Sequence, residues 1–471
     1  MFKRKEAERP SLLASLLIFV FLIVTLVAQV VINGSADAHI TFLLTIAFGA
    51  IVLLINGIRW KRIEDGIVQG CKDATLAMLI LMLVGVLIPT LMASGSIPNL
   101  IYWGLHLISP KIFLPTVAIA CAIASLATGS SWTSAATFGV AAMGIGIGLG
   151  IPAPLTAGAV ISGSVFGDKL SPLSDTTNLA PAVTGTSLFA HIKSMLYTTV
   201  PAMIISLILY GILGAKYSAD TIDNASMTAI LDSIAANFNV KGFGLILGLI
   251  PFAMILFMSF KKINVLATMV SAALVASLIA IVINRYGILE MMSYMNFGFV
   301  IDAGNADVNN LLNRGGLQGM MYTVSLGYFG LGLGGLLEST GVLDVILEKM
   351  AVLTKKQGNL ILTHVLSCIF INVFTASQYL SIMIPGKLFA PAYDKLKIQR
   401  YVASRTCEDC GTVTSPLVPW NMCGVYFATT LGVATMEYFP YAFLALLSPI
   451  IAVVYGYANI FIFKVEEETA K

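Results

Sequence analysis

Charge is scarce in this chain. Only 11% of its 471 residues are Asp, Glu, Lys or Arg, against roughly 25% in ordinary soluble domains. That excludes a conventional water-exposed surface. The net charge of +3 comes from scattered rather than clustered basic residues, which gives nucleic-acid binding no support. No H-E-x-x-H occurs, and no Ser/His arrangement falls on adjacent apolar segments, so an intramembrane enzyme lacks its machinery. Of six cysteines (Cys71, Cys121, Cys368, Cys407, Cys410 and Cys423), only Cys407 and Cys410 form a C-x-x-C. It has no second pair and no nearby His, so the cysteines read as packing residues rather than a metal centre. No cleavable signal peptide is expected: MFKRKEAERP is basic, but the apolar run from Ser11 to Ile32 is too long for a signal core.

What the chain does have is apolar length. Hydrophobic residues make up 58% of it, and mean hydropathy is +0.90. The apolar residues fall in blocks of about 17–25, the length that crosses a bilayer core. The expected class is an all-α polytopic membrane protein with about ten transmembrane helices. The spans are 11–33, 41–58, 74–95, 153–190, 195–215, 242–259, 264–284, 317–338, 397–432 and 436–463. The fourth and ninth are too long and too polar in the middle for plain helices and read as broken helices. Segments 112–149 and 358–391 are interrupted at TGSS (Thr128–Ser131) and TASQ (Thr375–Gln378). Halves of about 15–18 residues are short for a crossing, so both segments read as re-entrant hairpins.

Loop charge supports this layout. With a cytoplasmic N-terminus carrying Lys3, Arg4, Lys5 and Arg9, the inside loops hold Arg59, Lys61, Arg62, Lys193, Lys261, Lys262, Lys349, Lys355, Lys356, Lys395, Lys397 and Arg400. The outside loops are Asn33–His39, 216–241 with Asp220, Asp223 and Asp232, and 285–316 with Asp302 and Asp307. This is the positive-inside pattern, and it requires both hairpins to return to the side they entered from. The layout predicts the cytoplasmic membrane, with both termini cytoplasmic.

The two halves echo one another. SPLSDTTN at Ser171 aligns with SPLVPWNM at Ser415, so that Gly167 meets Gly411 and Pro172 meets Pro416 (416 − 172 = 244). Thr128 meets Thr375 (247), Gly95 meets Gly341 (246), and Gln69 meets Gln318 (249). Matches in one order at nearly one offset indicate a repeat. Five crossings and a hairpin per half make the copies inverted. The expected units are 1–215, an extracellular linker 216–241, and 242–471.

Unwound backbone at membrane depth is tolerated only inside protein or beside a water-filled cavity. Inverted-repeat transporters gather such breaks around ions and substrate. The polar groups here suit a hard cation such as Na+. The first break offers Ser171, Ser174, Asp175, Thr176, Thr177 and Asn178; the second offers Glu408, Asp409, Thr412, Thr414, Ser415 and Asn421; the tips add Thr128, Ser130, Ser131, Thr375, Ser377 and Gln378. Pro172, Pro416 and Pro419 free carbonyls, and Gly129, Gly167 and Gly411 allow tight turns. Asp175, Glu408 and Asp409 are the candidate carboxylates for which proton and cation compete. Asp175, Thr176, Asn178 and Ser130 are the set expected to hold Na+. The plainer reading of these acids is a structural ion pair with Lys169 or Arg405, and Asp168 with Lys169 can pair locally.

Lys169, Trp132, Trp420 and Gln378 are candidates to line a substrate cavity, with packing the plainer role for the tryptophans. Glu338 is either interfacial or functional. GIGIGLG (Gly144–Gly150) reads as close helix packing, not a nucleotide fingerprint. His191 and His364 are expected at the inner interface, with pH sensing as the alternative.

GDKLSPLSDTTNLAP and CEDCGTVTSPLVPWN together resemble the NhaC-type sodium/proton antiporter family of the ion transporter superfamily, and GSSWTSAATFG (Gly129–Gly139) fits the same family's first hairpin. The resemblance covers about 60–190 and 310–435. It implies Na+/H+ antiport without a cofactor, a homodimer, and elevator-like movement of hairpins and broken helices against a scaffold. The family also contains members resembling Na+/lactate–malate/proton exchangers. Coupled exchange of a small organic anion, or an amino acid, is therefore the alternative. Paired hairpins suit alternating access better than a continuous channel.

Overall fold

A computed structural model describes residues 8–33, 38–217, 224–261 and 263–465. The expected inside residues Lys3, Arg4, Lys5 and Lys262, the outside acids Asp220 and Asp223, and most of the Asn33–His39 loop lie outside the described residues. Among those described, every regular element is helical. Nine helices are long and apolar enough to cross a membrane; a tenth span arises if Thr435–Tyr441 and Phe443–Ala458, bent by 58°, count as one. The chain is thus an all-helical polytopic membrane protein.

The first two spans, Leu12–Asn33 and Ala38–Ile55, fall close to their expected places. The third is longer than expected. Trp60–Ala93 runs for 34 residues because the polar stretch ahead of position 74 is helical too, supported by a Lys61–Asp65 pair one turn apart at 2.8 Å. It ends at Gly95, whose φ of +81° turns the chain into a further helix, Ser96–Leu107. Gly341, φ +79°, does the same between Leu317–Ser339 and Val342–Ala351. A left-handed residue at a helix end is glycine's natural position. Trp60–Ala93 and Leu317–Ser339 cross closely. A Cβ on Gly66, Gly70 or Gly335 would strike backbone of the opposite helix, the small-residue contact typical of membrane helices. A Cβ on Gly144, Gly146 or Gly148 would instead meet the side chains of Ile101, Thr156 and Leu105 respectively.

Two helix pairs have polar turns between them. Pro110–Thr128 turns at Gly129 (φ +69°) into a helical run from Ser131 to Gly148 that includes a π segment at Ala135–Gly139. Gln357–Thr375 turns at Ala376 (φ +56°) into Gln378–Lys395. The leading arms have 19 residues each and are apolar and long enough to cross, which is longer than the expected 15–18. At the polar ends the hydroxyls are satisfied by the preceding turn: Thr375 Oγ1 donates to Ile371 O at 2.8 Å and Thr128 Oγ1 to Ser125 O at 3.4 Å. Arm length therefore does not mark either segment as re-entrant.

The two long polar spans are interrupted. Ala153–Leu170 unwinds at Ser171 and resumes as Asp175–Thr184. Arg400–Cys407 passes into a π segment, Glu408–Thr412, and a tight turn, Ser415–Leu417, before Met422–Leu431. Helix boundaries recur at one constant spacing: 357 − 110, 378 − 131, 400 − 153 and 422 − 175 are all 247. Left-handed Gly185 and Gly432 end the two resumed helices at the same spacing. The break register is therefore 247, not the 244 suggested by matching letters. At 171–173 SPL is the unwound linker; at 415–417 it is still a helical turn.

Candidate functional site

Each hairpin tip is fastened to the break of its own half. Ser130 caps the helix after the first tip, accepting from Thr133 N at 3.2 Å, and Ser171 Oγ donates to Leu126 O at 2.8 Å. A Cβ on Gly129 would lie 2.6 Å from Leu173 Cβ, so only glycine lets the tip sit on the linker. In the second half Ser377 accepts from Leu380 N at 3.2 Å, and Met422 N donates to Ala376 O at 3.1 Å. Trp420 Nε1 donates to Val373 O at 2.6 Å.

Side chains hold the unwound backbone. Thr177 Oγ1 donates to the carbonyls of Asp168 and Lys169 at 3.0 and 3.2 Å. Asn178 Nδ2 donates to those of Ser174 and Pro172 at 2.6 and 3.0 Å. Ser174 Oγ and Thr176 Oγ1 are 3.1 Å apart. In the second break Asn421 caps Cys423 N and gives its amide to Asn372 O and Oδ1, both at 3.1 Å; Asn372 in turn donates to Gly411 O at 2.6 Å. Gln378 Oε1 accepts from Ser415 Oγ at 3.2 Å and Cys423 Sγ at 3.0 Å.

The two halves meet at charge. Lys169 Nζ lies 2.8 Å from Asp409 Oδ1, with both side chains fully buried. Thr198 Oγ1 donates to the same oxygen at 3.0 Å. Asp168 does not pair with Lys169 locally; its Oδ2 accepts from Ser131 Oγ at 2.7 Å. Beside this cluster stands Glu408, fully buried, with Thr412, Lys169, Asp168 and Thr176 bearing on its carboxyl. Among the described residues, neither oxygen of Glu408 has a partner in hydrogen-bonding geometry, nor do Asp168 Oδ1, Asp409 Oδ2 or Thr412 Oγ1, although the Thr412 and Thr176 hydroxyls bear on the Glu408 carboxyl. Buried oxygens left without hydrogen bonds beside a buried lysine are costly. A cation or protons bound there would remove the cost.

Arg405, also buried, donates to Phe461 O at 3.2 Å.

Not every expected residue joins this cluster. Asp175 is exposed and accepts a hydrogen bond from the Tyr379 hydroxyl. Asn178 is exposed, with its amide turned onto backbone. The set Asp175, Thr176, Asn178 and Ser130 is thus spread between the cluster and the surface of the break. Thr375 bonds back to Ile371 O. Trp132 stacks on Tyr426 at 4.3 Å and 9°, and Tyr426 OH donates to Trp132 O at 2.6 Å, a packing role.

His191 and His364 are both fully buried within the protein. His364 reaches Tyr393 OH at 3.1 Å and Cys407 Sγ at 3.3 Å, while His191 Nδ1 lies 2.7 Å from Ser404 Oγ. Glu338 is exposed.

Sequence reasoning passed over Asp168 as a free acid, and Thr198, Asn372 and Tyr379 altogether. Asn372, an amide within an apolar arm, was a readable signal; Thr198 belongs to no motif.

A cavity of about 450 Å3 adjoins the first tip and break. Thr128, Thr133, Pro172 and Leu173 line one side, and Ser259, Asn264 and Thr268 the other.

Comparison with known proteins identifies the family of the chain. The chain matches the model of the "Na+/H+ antiporter family" over residues 10–177 and 163–460. It is 36% identical to the Na(+)/H(+) antiporter NhaC of Alkalihalophilus pseudofirmus, over 90% of this chain and 91% of that one. It is 38% identical to a malate-2H(+)/Na(+)-lactate antiporter of Bacillus subtilis, covering 89% and 90%. It is 36% identical to the arginine/ornithine antiporter ArcD of Halobacterium salinarum, covering 96% and 93%. The chain belongs to the Na+/H+ antiporter family and is of the NhaC type.

Proposed function

We propose that this protein exchanges Na+ for H+ by alternating access, and that the exchange takes place at Glu408 and the oxygens around it. The observation that carries this reading is the Glu408 carboxyl itself, buried in the second break with no partner in hydrogen-bonding geometry among the described residues. A buried, unpaired carboxylate is strongly unfavourable. It is relieved either by a proton or by a cation, and the two exclude each other. That exclusion is the minimum needed for antiport. Asp168, Thr412 and Thr176 supply the other oxygens, and the Lys169–Asp409 pair fixes their frame. Ser130, Ser131, Ser174, Ser377, Gln378, Thr375 and Asn421 hold the tips and breaks in register around them.

The constant spacing of 247 supports two copies of one unit, about 1–215 and 242–471 with a linker between, inserted in opposite senses. In this arrangement the two hairpins are re-entrant. A homodimer in the cytoplasmic membrane with both termini inside completes the reading.

A second reading is exchange of a small organic solute, favoured by the malate–lactate and arginine/ornithine relatives. Against it, the cationic groups expected to face an anion are engaged, Lys169 with Asp409 and Arg405 with a carbonyl.

Purified protein in liposomes with an internal pH dye tests the proposal. Wild type should move protons on a Na+ jump, and Glu408→Gln should not. Undiminished exchange by the variant would remove Glu408 from the mechanism. Uptake of labelled malate, lactate or arginine without Na+-driven proton movement would establish the second reading.

A further inference from the structure

His191 takes no part in the exchange described so far. It sits in the first turn of Leu188–Gly214, just after exposed Ser187, yet is itself fully buried. One ring nitrogen meets Ser404 Oγ at 2.7 Å; the other, Nε2, has no partner among the described residues. Three residues on, Ser194 is buried with its hydroxyl equally unpartnered. Seven residues on, Thr198 donates to Asp409 Oδ1 at 3.0 Å.

Positions i, i+3 and i+7 lie along one helix face, and seven residues rise about 10.5 Å. The face therefore carries a polar stripe from the helix start to the ion pair, with unsatisfied groups part-way. Buried polar groups without protein partners are characteristically met by water. Lys169 is a charged side chain that bears on the ring.

We infer that His191, Ser194 and Thr198 line a water-bridged proton path to the Lys169–Asp409 pair, with His191 as its relay. The path is separate from the cavity beside Thr128 and Pro172. In the relay step one ring nitrogen takes a proton as the other gives one up. The imidazole is neutral before and after, and rotation of the ring restores the starting tautomer. An imidazole suits the task because its two opposite edges both exchange protons.

This inference rests on the Na+/H+ exchange proposed above, and the test separates the two. The full-length protein in liposomes is assayed in two modes: Na+-driven proton movement, and exchange of radiolabelled Na+ for Na+ across the membrane without net proton movement. Proton movement should fall about tenfold or more in His191→Gln, a modest share of what positioned proton transfer contributes. Na+/Na+ exchange should persist near the wild-type rate. Ser194→Ala should show the same asymmetry in weaker form, and it decides the matter if His191→Gln does not fold. Equal losses in both modes by a folded variant would make the residue structural and overturn the relay; so would undiminished proton movement. A wild type without Na+-driven proton movement would instead overturn the exchange reading.

Discussion

Lys169 and Asp409 are 240 residues apart in sequence and 2.8 Å apart in space, each fully buried. One stands just before the first break, the other in the π segment leading into the second. The pair is therefore the tie between the two interrupted helices.

Removing the lysine alone should be costly. Lys169→Met strands a buried carboxylate and should lower stability by about 3–5 kcal/mol. Lys169→Met with Asp409→Asn should recover part of that loss, because no uncompensated charge remains. Thermal unfolding in detergent measures both. Additive losses would mean the two groups do not interact in the folded protein.

The two acids of the first break should differ. Asp168 is buried with one free oxygen, whereas Asp175 is exposed and held by Tyr379. Asp168→Asn should weaken the apparent Na+ affinity about tenfold or more, and Asp175→Asn only by a small factor, as expected for buried against exposed charge. The Na+ dependence of proton movement reads both. The reverse order would return the cation to Asp175.

Asn372 joins the second hairpin to the second break through Gly411 and Asn421. Asn372→Ala leaves buried groups on both sides unbonded and should cost about 1–3 kcal/mol. Hydrogen exchange should show looser protection confined to 408–421. Unchanged protection there would mean that the tie is dispensable.

Gly129→Ala tests the seat of the first tip. Its Cβ would fall 2.6 Å from Leu173 Cβ and 2.8 Å from the Leu173 carbonyl carbon, on a backbone that already favours glycine. A loss of roughly 1–3 kcal/mol follows from overpacking, together with slower exchange in liposomes. A variant as stable and active as wild type would mean that the tip does not rest on the linker.

The spans, tips and breaks were legible because each leaves a local mark: apolar length, or a polar interruption within it. Helices after Gly95 and Gly341 were not, since a single left-handed glycine redirects a helix without a change in hydropathy. Identical letters misplaced the second break by three residues, because SPL is unwound at 171–173 and helical at 415–417. At the site, Glu408 and Asp409 were readable as acids at membrane depth. Asp168 was set aside because an acid beside a lysine in sequence looks self-neutralised, whereas on a helix neighbours point apart and the lysine found its partner across the bundle. The burial of His191 and His364 depends on Ser404, Tyr393 and Cys407, which come near only once the helices pack.

The spacing of 247 pairs Ser131 with Gln378 and Asp168 with Ser415, and both pairs form a bond between tip and break, Ser131 to Asp168 and Ser415 to Gln378. The two latches occupy equivalent places but differ in kind. One closes on a carboxylate, whose grip changes whenever a proton or cation arrives. The other joins two neutral groups and is indifferent to either. The frame that recurs at this spacing thus carries one fastening on a charged group and one between neutral groups, so a change of charge at Asp168 would act on the first of the two tips.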